Sequence, residues 1–211
     1  MLSEEREFEE RELPRDNDAL LQASRRLDWR FLLPDPELGR VACVGVDDLD
    51  LVESLRLFSS EATVLEAGRP WGELAPHDVV VLRNPAEAEL AAGLLLLRPG
   101  GCMYVEVDGV GDRRLPEGRR TARGYAAALR RLGLVEVQGH LHWPDFRSCG
   151  VIVPLGDALA VRLALARRRQ NGSARLVARL APLLAACNLL ALVAPSASVL
   201  ARRPAREEGR A

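Results

Sequence analysis

The apolar and polar positions of this chain change period several times, and each change marks an expected element. Residues 19–33 (ALLQASRRLDWRFLL) carry apolar side chains at helical spacing and stop at Pro34 and Pro36, which predicts a helix. Between Arg40 and Asp47 lies VACVGV, a short run apolar throughout, as expected of a parallel strand buried on both faces. Asp48 or Asp50 caps the helix LDLVESLRLFSS that follows. Further strands are expected at 62–66 (ATVLE), 78–82, 102–107 (CMYVEV), 135–143 (VEVQGHLHW), 151–155 (VIVPL) and 198–202. GLLLL (93–97) lies on a helix, and Arg98 to Gly101 forms a turn because proline fixes φ and glycine permits positive φ. Gly124 to Leu132 reads as a helix stopped by Gly133, and 157–193 as helical with a break at 170–173. Strands alternating with helices predict an α/β fold, a mostly parallel sheet with helices on both faces. Ligands in such sheets sit at the carboxyl ends of the strands, near the point where strand order reverses.

With 211 residues and a net charge of −1, the chain suffices for one sizeable core, expected over 19–203. Residues 1–18 hold eight acids and three arginines and read as a solvated, disordered arm; 204–211 read as a frayed tail. The near-neutral charge argues against a general nucleic-acid binder. All 29 cationic residues are arginine, and the absence of lysine excludes a Walker P-loop, a pyridoxal Schiff base and Ser-x-x-Lys acyl transfer. The four cysteines form no C-x-x-C pair, which argues against a disulfide framework or thiolate zinc site and fits a reducing cytoplasm. The uncharged run Leu180 to Leu200 is interrupted by Pro182, Asn188 and Pro195, and reads as a buried helix and strand rather than a membrane span.

The most unusual local string is HLHWPDF (140–146). His140 and His142 share one strand face, and their ordinary pKa makes them the candidate general bases. With Asp145 they also make a weak two-His, one-carboxylate metal pattern; no metal is expected. Trp143, Pro144 and Phe146 are either a substrate wall or core packing. Glu106 and Asp108 end a strand at the rim where substrates bind, and Asp108 to Gly111 reads as a hinged lid or an ordinary loop. DDLD (47–50) contains the D-x-D of metal-dependent nucleotide-sugar transferases, or simply first-turn helix acids. The arginines of 113–123 are a solvated cluster that suits an acidic substrate.

The order of the pieces VACVGVDDLD (41–50), VLE (64–66), HDVVVL (77–82), LLLLRPGGCMYVEVD (94–108), RGYAAALRRLGLVEV (123–137) and SVLARR (198–203) resembles the class I S-adenosylmethionine-dependent methyltransferases. The resemblance implies a Rossmann-like domain with a last, antiparallel strand and S-adenosylmethionine as cofactor. It implies Gly45 as the loop glycine, Glu66 as the ribose acid, and Asp47 and Asp78 close to the cofactor. Asn84, in Arg83-Asn84-Pro85, then lines the substrate pocket with Glu106, Asp108, His140, His142 and Trp143. The glycine-rich loop retains only Gly45, and eleven residues separate Glu66 from Asp78, which implies a sheet shortened between its second and fourth strands. Methyl transfer to a small molecule or biosynthetic intermediate is the expected function. The alternatives are a noncatalytic relative that binds a partner, and the sugar transferase.

Overall fold

The structure, a computed structural model, describes residues 17–66, 75–108, 121–166, 180–187 and 189–205. Helix α1 (Asn17–Arg26) passes through a single turn of tighter helix (Asp28–Leu32) into β1 (Arg40–Val44), α2 (Leu49–Phe58) and β2 (Glu61–Leu65). Then come β3 (His77–Arg83), α3 (Glu87–Leu96), β4 (Leu97–Asp108), α4 (Ala122–Arg131), β5 (Val135–Trp143), β6 (Val151–Pro154) and α5 (Ala158–Ala166). Residues 180–186 are helical, Leu190–Val193 form one helical turn, and β7 (Ser196–Arg202) ends the fold.

The seven strands lie in the order β2-β1-β3-β4-β7-β5-β6. β2, β1, β3 and β4 are parallel neighbours, while β7 is inserted antiparallel between β4 and β5, and β6 pairs antiparallel with β5. The chain leaves β1 to one side for β2 and returns to its other side for β3, so the point where strand order reverses lies between β1 and β3. β2 is followed directly by β3 among the described residues, in keeping with the expected shortening.

Two apolar layers cover the sheet. Val41, Cys43, Val79, Val81 and Tyr104 face α2 and the Trp29 turn, whereas Ala42, Val44, Val80, Leu82, Met103 and Val105 face α3, α4 and α5. Alternation along each strand sends successive side chains to opposite layers.

Local chemistry sets most boundaries. Asp48 is the N-cap of α2, accepting the Leu51 N–H at 3.3 Å. Gly133 stops α4 with φ 83°. Three expectations are adjusted. The helix read over 19–33 is interrupted after Arg26 and ends in the tighter turn. Residues 98–101 do not separate helix from strand but bulge within β4, where pairing jumps from His77–Leu97 to Val79–Cys102 and Gly100 takes φ 79°. Residues 17 and 18, read as part of the arm, already belong to α1. The rest of the arm, the lid of residues 109–111, the arginines of 113–120, the break at 170–173 and residues 206–211 lie outside the described residues.

Candidate functional site

Gly45 follows the last residue of β1 with φ 62°, a conformation that costs glycine little, and its N–H reaches the Leu65 carbonyl at 3.2 Å. That bond holds the ends of β1 and β2 together and sets Glu66, the next residue of β2, beside the glycine; both are exposed. At the neighbouring ends of β3 and β4, Asn84 adopts φ 45°, its Oδ1 accepts the Asp108 N–H at 3.0 Å, and its Nδ2 donates to Asp108 Oδ2 at 2.7 Å. Asparagine tolerates this left-handed backbone because its short side chain bonds locally. Arg83 links the two groups, with its guanidinium 3.1 Å from Asp108 and 3.2 Å from Asp47. Burial pushes the Arg83 pKa down, but Asp108, Glu106 and Asp47 outweigh it and raise it. Gly45, Asp47, Glu66, Asn84 and Asp108 are thus brought to one rim at the carboxyl ends of the parallel strands.

Asp78 does not join them. It opens β3 beside Arg40, at the amino end of the sheet, about 15 Å along the strands from the rim at the usual rise per residue. Its Oδ2 accepts the Arg40 N–H at 2.7 Å and its other oxygen pairs with Arg98. A side chain at Gly39 would collide with that carboxylate, so Asp78 tethers the entry to β1 and stands away from the rim.

Glu106 is also not available as a lining group. It is completely buried, and Arg26 at the end of α1 donates to both its oxygens, at 2.7 and 2.9 Å. The same guanidinium lies 3.4 Å from Asp48, itself buried. Burial alone pushes the Asp48 carboxyl up; Arg26, the Leu51 N–H and Arg147 more than offset it and hold the group below the usual carboxylate range. Asp48 is therefore committed to a helix cap and an ion pair, which removes half of the D-x-D expected of a metal-dependent sugar transferase. The negative charges at positions 47 and 48 are each met by an arginine.

The histidines lie on the α2 side of the sheet, with Tyr104, Glu106 and Ser198. His142 Nε2 is 2.8 Å from Ser198 Oγ and 3.4 Å from Tyr104 Oη, and its Nδ1 is 3.7 Å from Cys149 Sγ. Trp29 stacks on Tyr104 with centroids 3.9 Å apart, and Phe146 packs on His142 at 4.7 Å. Burial pushes the pKa of His142 down to about 3 and that of His140 to about 4. Both rings are neutral and shut from solvent, which removes the ground for reading them as general bases: desolvation opposes the imidazolium a base must become. Trp143, one residue beyond His142, packs on the α3/α4 layer at the opposite face and does not line a pocket with the histidines, while Phe146 is buried against His142; of the two expectations for these aromatics, core packing describes both. Asp145 accepts from the Arg147 and Ser148 N–H groups within its own turn, and among the described residues no cluster of three His, Cys, Asp or Glu side chains is placed to hold a metal ion.

Arg26, Trp29, Tyr104 and Ser198 organise this region, and the sequence offered little signal for them. Arg26 reads as one more cation at a helix end, Tyr104 and Ser198 as members of apolar strands. A cleft of about 280 Å³ remains between α1 and α2, beside Asp50, Ser54 and Arg147.

No protein-family model matches the chain, and no curated protein does. Among solved structures it is similar to phosphoethanolamine N-methyltransferase 2 of Haemonchus contortus in complex with S-adenosyl-L-methionine, with TM-score 0.51 and 12% identity over 86% of this chain. The match takes in 52% of that chain, so this protein spans about half its length. A methyltransferase of Thermotoga maritima is similar over 86% of this chain and 89% of its own, with TM-score 0.47 and 11% identity. One of Archaeoglobus fulgidus is similar over 87% and 93%, with TM-score 0.44 and 14% identity. Strand order, the antiparallel β7 and the first of these likenesses together establish a Rossmann-like fold of the class I S-adenosylmethionine-dependent methyltransferase type.

Proposed function

We propose that the chain binds S-adenosylmethionine at the rim formed by β1 and β2 and transfers its methyl group to a small acceptor. The observation that carries this reading is the placement of Gly45, left-handed and exposed, at the point where strand order reverses, with Glu66 just past the end of the neighbouring strand β2. The residues present fit the group. Gly45 leaves the backbone open to close approach, and Glu66 has two acceptor oxygens for a ribose diol. The cofactor supplies an electrophilic methyl group. In this reading Asn84 and Asp108, bonded to each other at the ends of β3 and β4, orient the acceptor. With His140 and His142 buried and their pKa values pushed down, this reading takes an acceptor that arrives already nucleophilic, as a free amine or thiolate, with orientation supplying the catalysis. The amine acceptor in the name of the Haemonchus contortus enzyme agrees with this choice.

The second reading, a noncatalytic binding protein, is favoured by one feature: the sheet face over β4, β7 and β5 is filled by Trp29, Tyr104, Arg26 and Glu106.

Calorimetric titration with S-adenosylmethionine and S-adenosylhomocysteine separates the two. Micromolar binding, about −8 kcal/mol, weakened about tenfold by Glu66→Ala through loss of charge-assisted hydrogen bonds, supports the methyltransferase. No heat with either ligand on folded protein supports the binding protein.

A further inference from the structure

Helix α1 is fixed to the fold by a charge. A surface helix is ordinarily seated by an apolar stripe, yet of residues 20–26 only Arg26 is buried, and Leu21 is 49% exposed. Arg26 Nη1 and Nη2 donate to the two oxygens of Glu106 at 2.7 and 2.9 Å, and Nη2 lies 3.4 Å from Asp48. The guanidinium carbon stands 5.5 Å from the centre of the Phe146 ring. A carboxylate met by paired bonds, a second acid and an aromatic face together suit a planar guanidinium. The recognition stops at the two terminal nitrogens. Arg26 Nε is buried with no hydrogen-bond partner, so these groups hold the end of the side chain and not its stem. A buried ion pair also adds little stability that apolar residues of like volume would not supply. The cleft of about 280 Å³ between α1 and α2 reaches the pair, since Arg26 lines it together with Asp50, Glu53 and Arg147. The Arg147 side chain is 72% exposed and only loosely paired, 3.9 Å from both Asp48 and Asp50.

We propose that Glu106, Asp48 and Phe146 form a binding site for a small organic guanidinium, which Arg26 fills in this structure as an internal stand-in. The ligand enters along the cleft between α1 and α2, where Asp50 and Glu53 suit a cation, and takes both oxygens of Glu106 as Arg26 turns out to water. Such an exchange leaves no desolvated charge behind, and that penalty is what prevents a buried pair from simply opening. Only α1 has to move. Leu27 and Trp29, immediately beyond it, are buried in the apolar layer that includes Val41 and Tyr104, so the chain hinges between Arg26 and Leu27. A ligand that binds only the released form shifts the population toward that form. An ammonium fits less well, because it cannot present two parallel N–H groups to the two carboxylate oxygens. The inference is independent of the proposed methyl transfer, and its test needs no cofactor.

The test is hydrogen exchange of the full chain in ethylguanidinium chloride, with the neutral isostere ethylurea and with sodium chloride at equal ionic strength as controls. Because Arg26 is tethered beside the site, a free cation competes with it in the millimolar range. Ethylguanidinium alone is expected to speed exchange in residues 20–26, saturably, while residues 28–32 and α2 stay protected. Calorimetry on Arg26→Gln, which lacks the internal cation, should show ethylguanidinium bound about tenfold or more tightly than by the parent. Arg26→Lys keeps a charge on Glu106 but loses the paired bonds, and should bind it several-fold more tightly; this variant decides the comparison should Arg26→Gln not fold. The proposal is overturned by unchanged exchange in residues 20–26 of the parent, by the same response to ethylurea or sodium chloride, or by acceleration spread evenly over all elements. Binding by the folded variants no tighter than by the parent overturns it as well.

Discussion

The two halves of the sheet's carboxyl edge use the same residue types to opposite ends. Along the carboxyl ends of β2, β1, β3 and β4, the acids Asp47, Glu66 and Asp108 lie at the surface or half-buried, and the Asp47 side chain is 90% exposed although it pairs with Arg83. Over β4, β7 and β5, Glu106 is sealed against Arg26, and Tyr104, Ser198 and His142 are buried beneath Trp29 and Phe146. An exposed ion pair is worth little, because water competes for each partner, so a ligand can take its place. A buried pair cannot be opened singly without leaving a desolvated charge. The rim that carries Gly45, Asp47, Glu66, Asn84 and Asp108 is thus open to a ligand, whereas the sheet face over β4, β7 and β5 is held shut by the protein's own side chains.

The sharpest way to break this contrast is Glu106→Ala. It leaves the Arg26 guanidinium buried without its main partner and is expected to cost about 3–5 kcal/mol in urea unfolding. Arg26→Met combined with Glu106→Leu should recover most of that loss. A loss below about 1 kcal/mol in Glu106→Ala would place the clasp among ordinary surface pairs.

Acid acts on the same half. Folded His142 and His140 bind protons only near pH 3 and 4, whereas the unfolded chain binds them near 6.5. Between those values the unfolded state holds more protons, so stability falls as pH falls. By pH 5 each histidine should withdraw about 2 kcal/mol. Asp48, with its carboxyl held low by Arg26, adds a loss of the same sign at still lower pH. Thermal unfolding across this range measures the slope, and a flat profile would mean that the rings reach solvent.

Smaller effects belong to the junction and the open half. Asp48→Ala removes the α2 cap as well as one contact of Arg26 and should cost about 1–2 kcal/mol. Asp47→Ala, in the open half, should stay within about 0.5 kcal/mol of the parent. A larger loss at Asp47 than at Asp48 would reverse the assignment of open and closed sides.

Much of the scaffold was legible because it depends on local rules. Alternation and apolar runs located the strands, Gly133 the end of α4, and Asp48 a helix cap. The rim residues Gly45, Glu66 and Asn84 were legible as strand ends. Less readable was which polar side chains would be covered. His140 and His142 were correctly placed on one face, yet their chemistry depends on Trp29, Phe146 and Arg26, which reach them from other elements. Asp78 was visible as the acid opening a strand, but its distance from the rim follows from the parallel register of β1 and β3. Trp143 went to the other face because alternation places it opposite the histidine before it.

The sequence by itself determined the succession of strands and helices, the shortened connection after β2 and the lone glycine at the end of β1. These follow from periodicity, backbone preference and charge, all of which act over a few residues. Only the tertiary structure decided that Arg26 closes on Glu106 across 80 positions of chain, that both histidines are neutral, and that Asp78 stands away from the rim. Burial and ion pairing depend on which distant segments cover a side chain, and that is settled only when the layers pack.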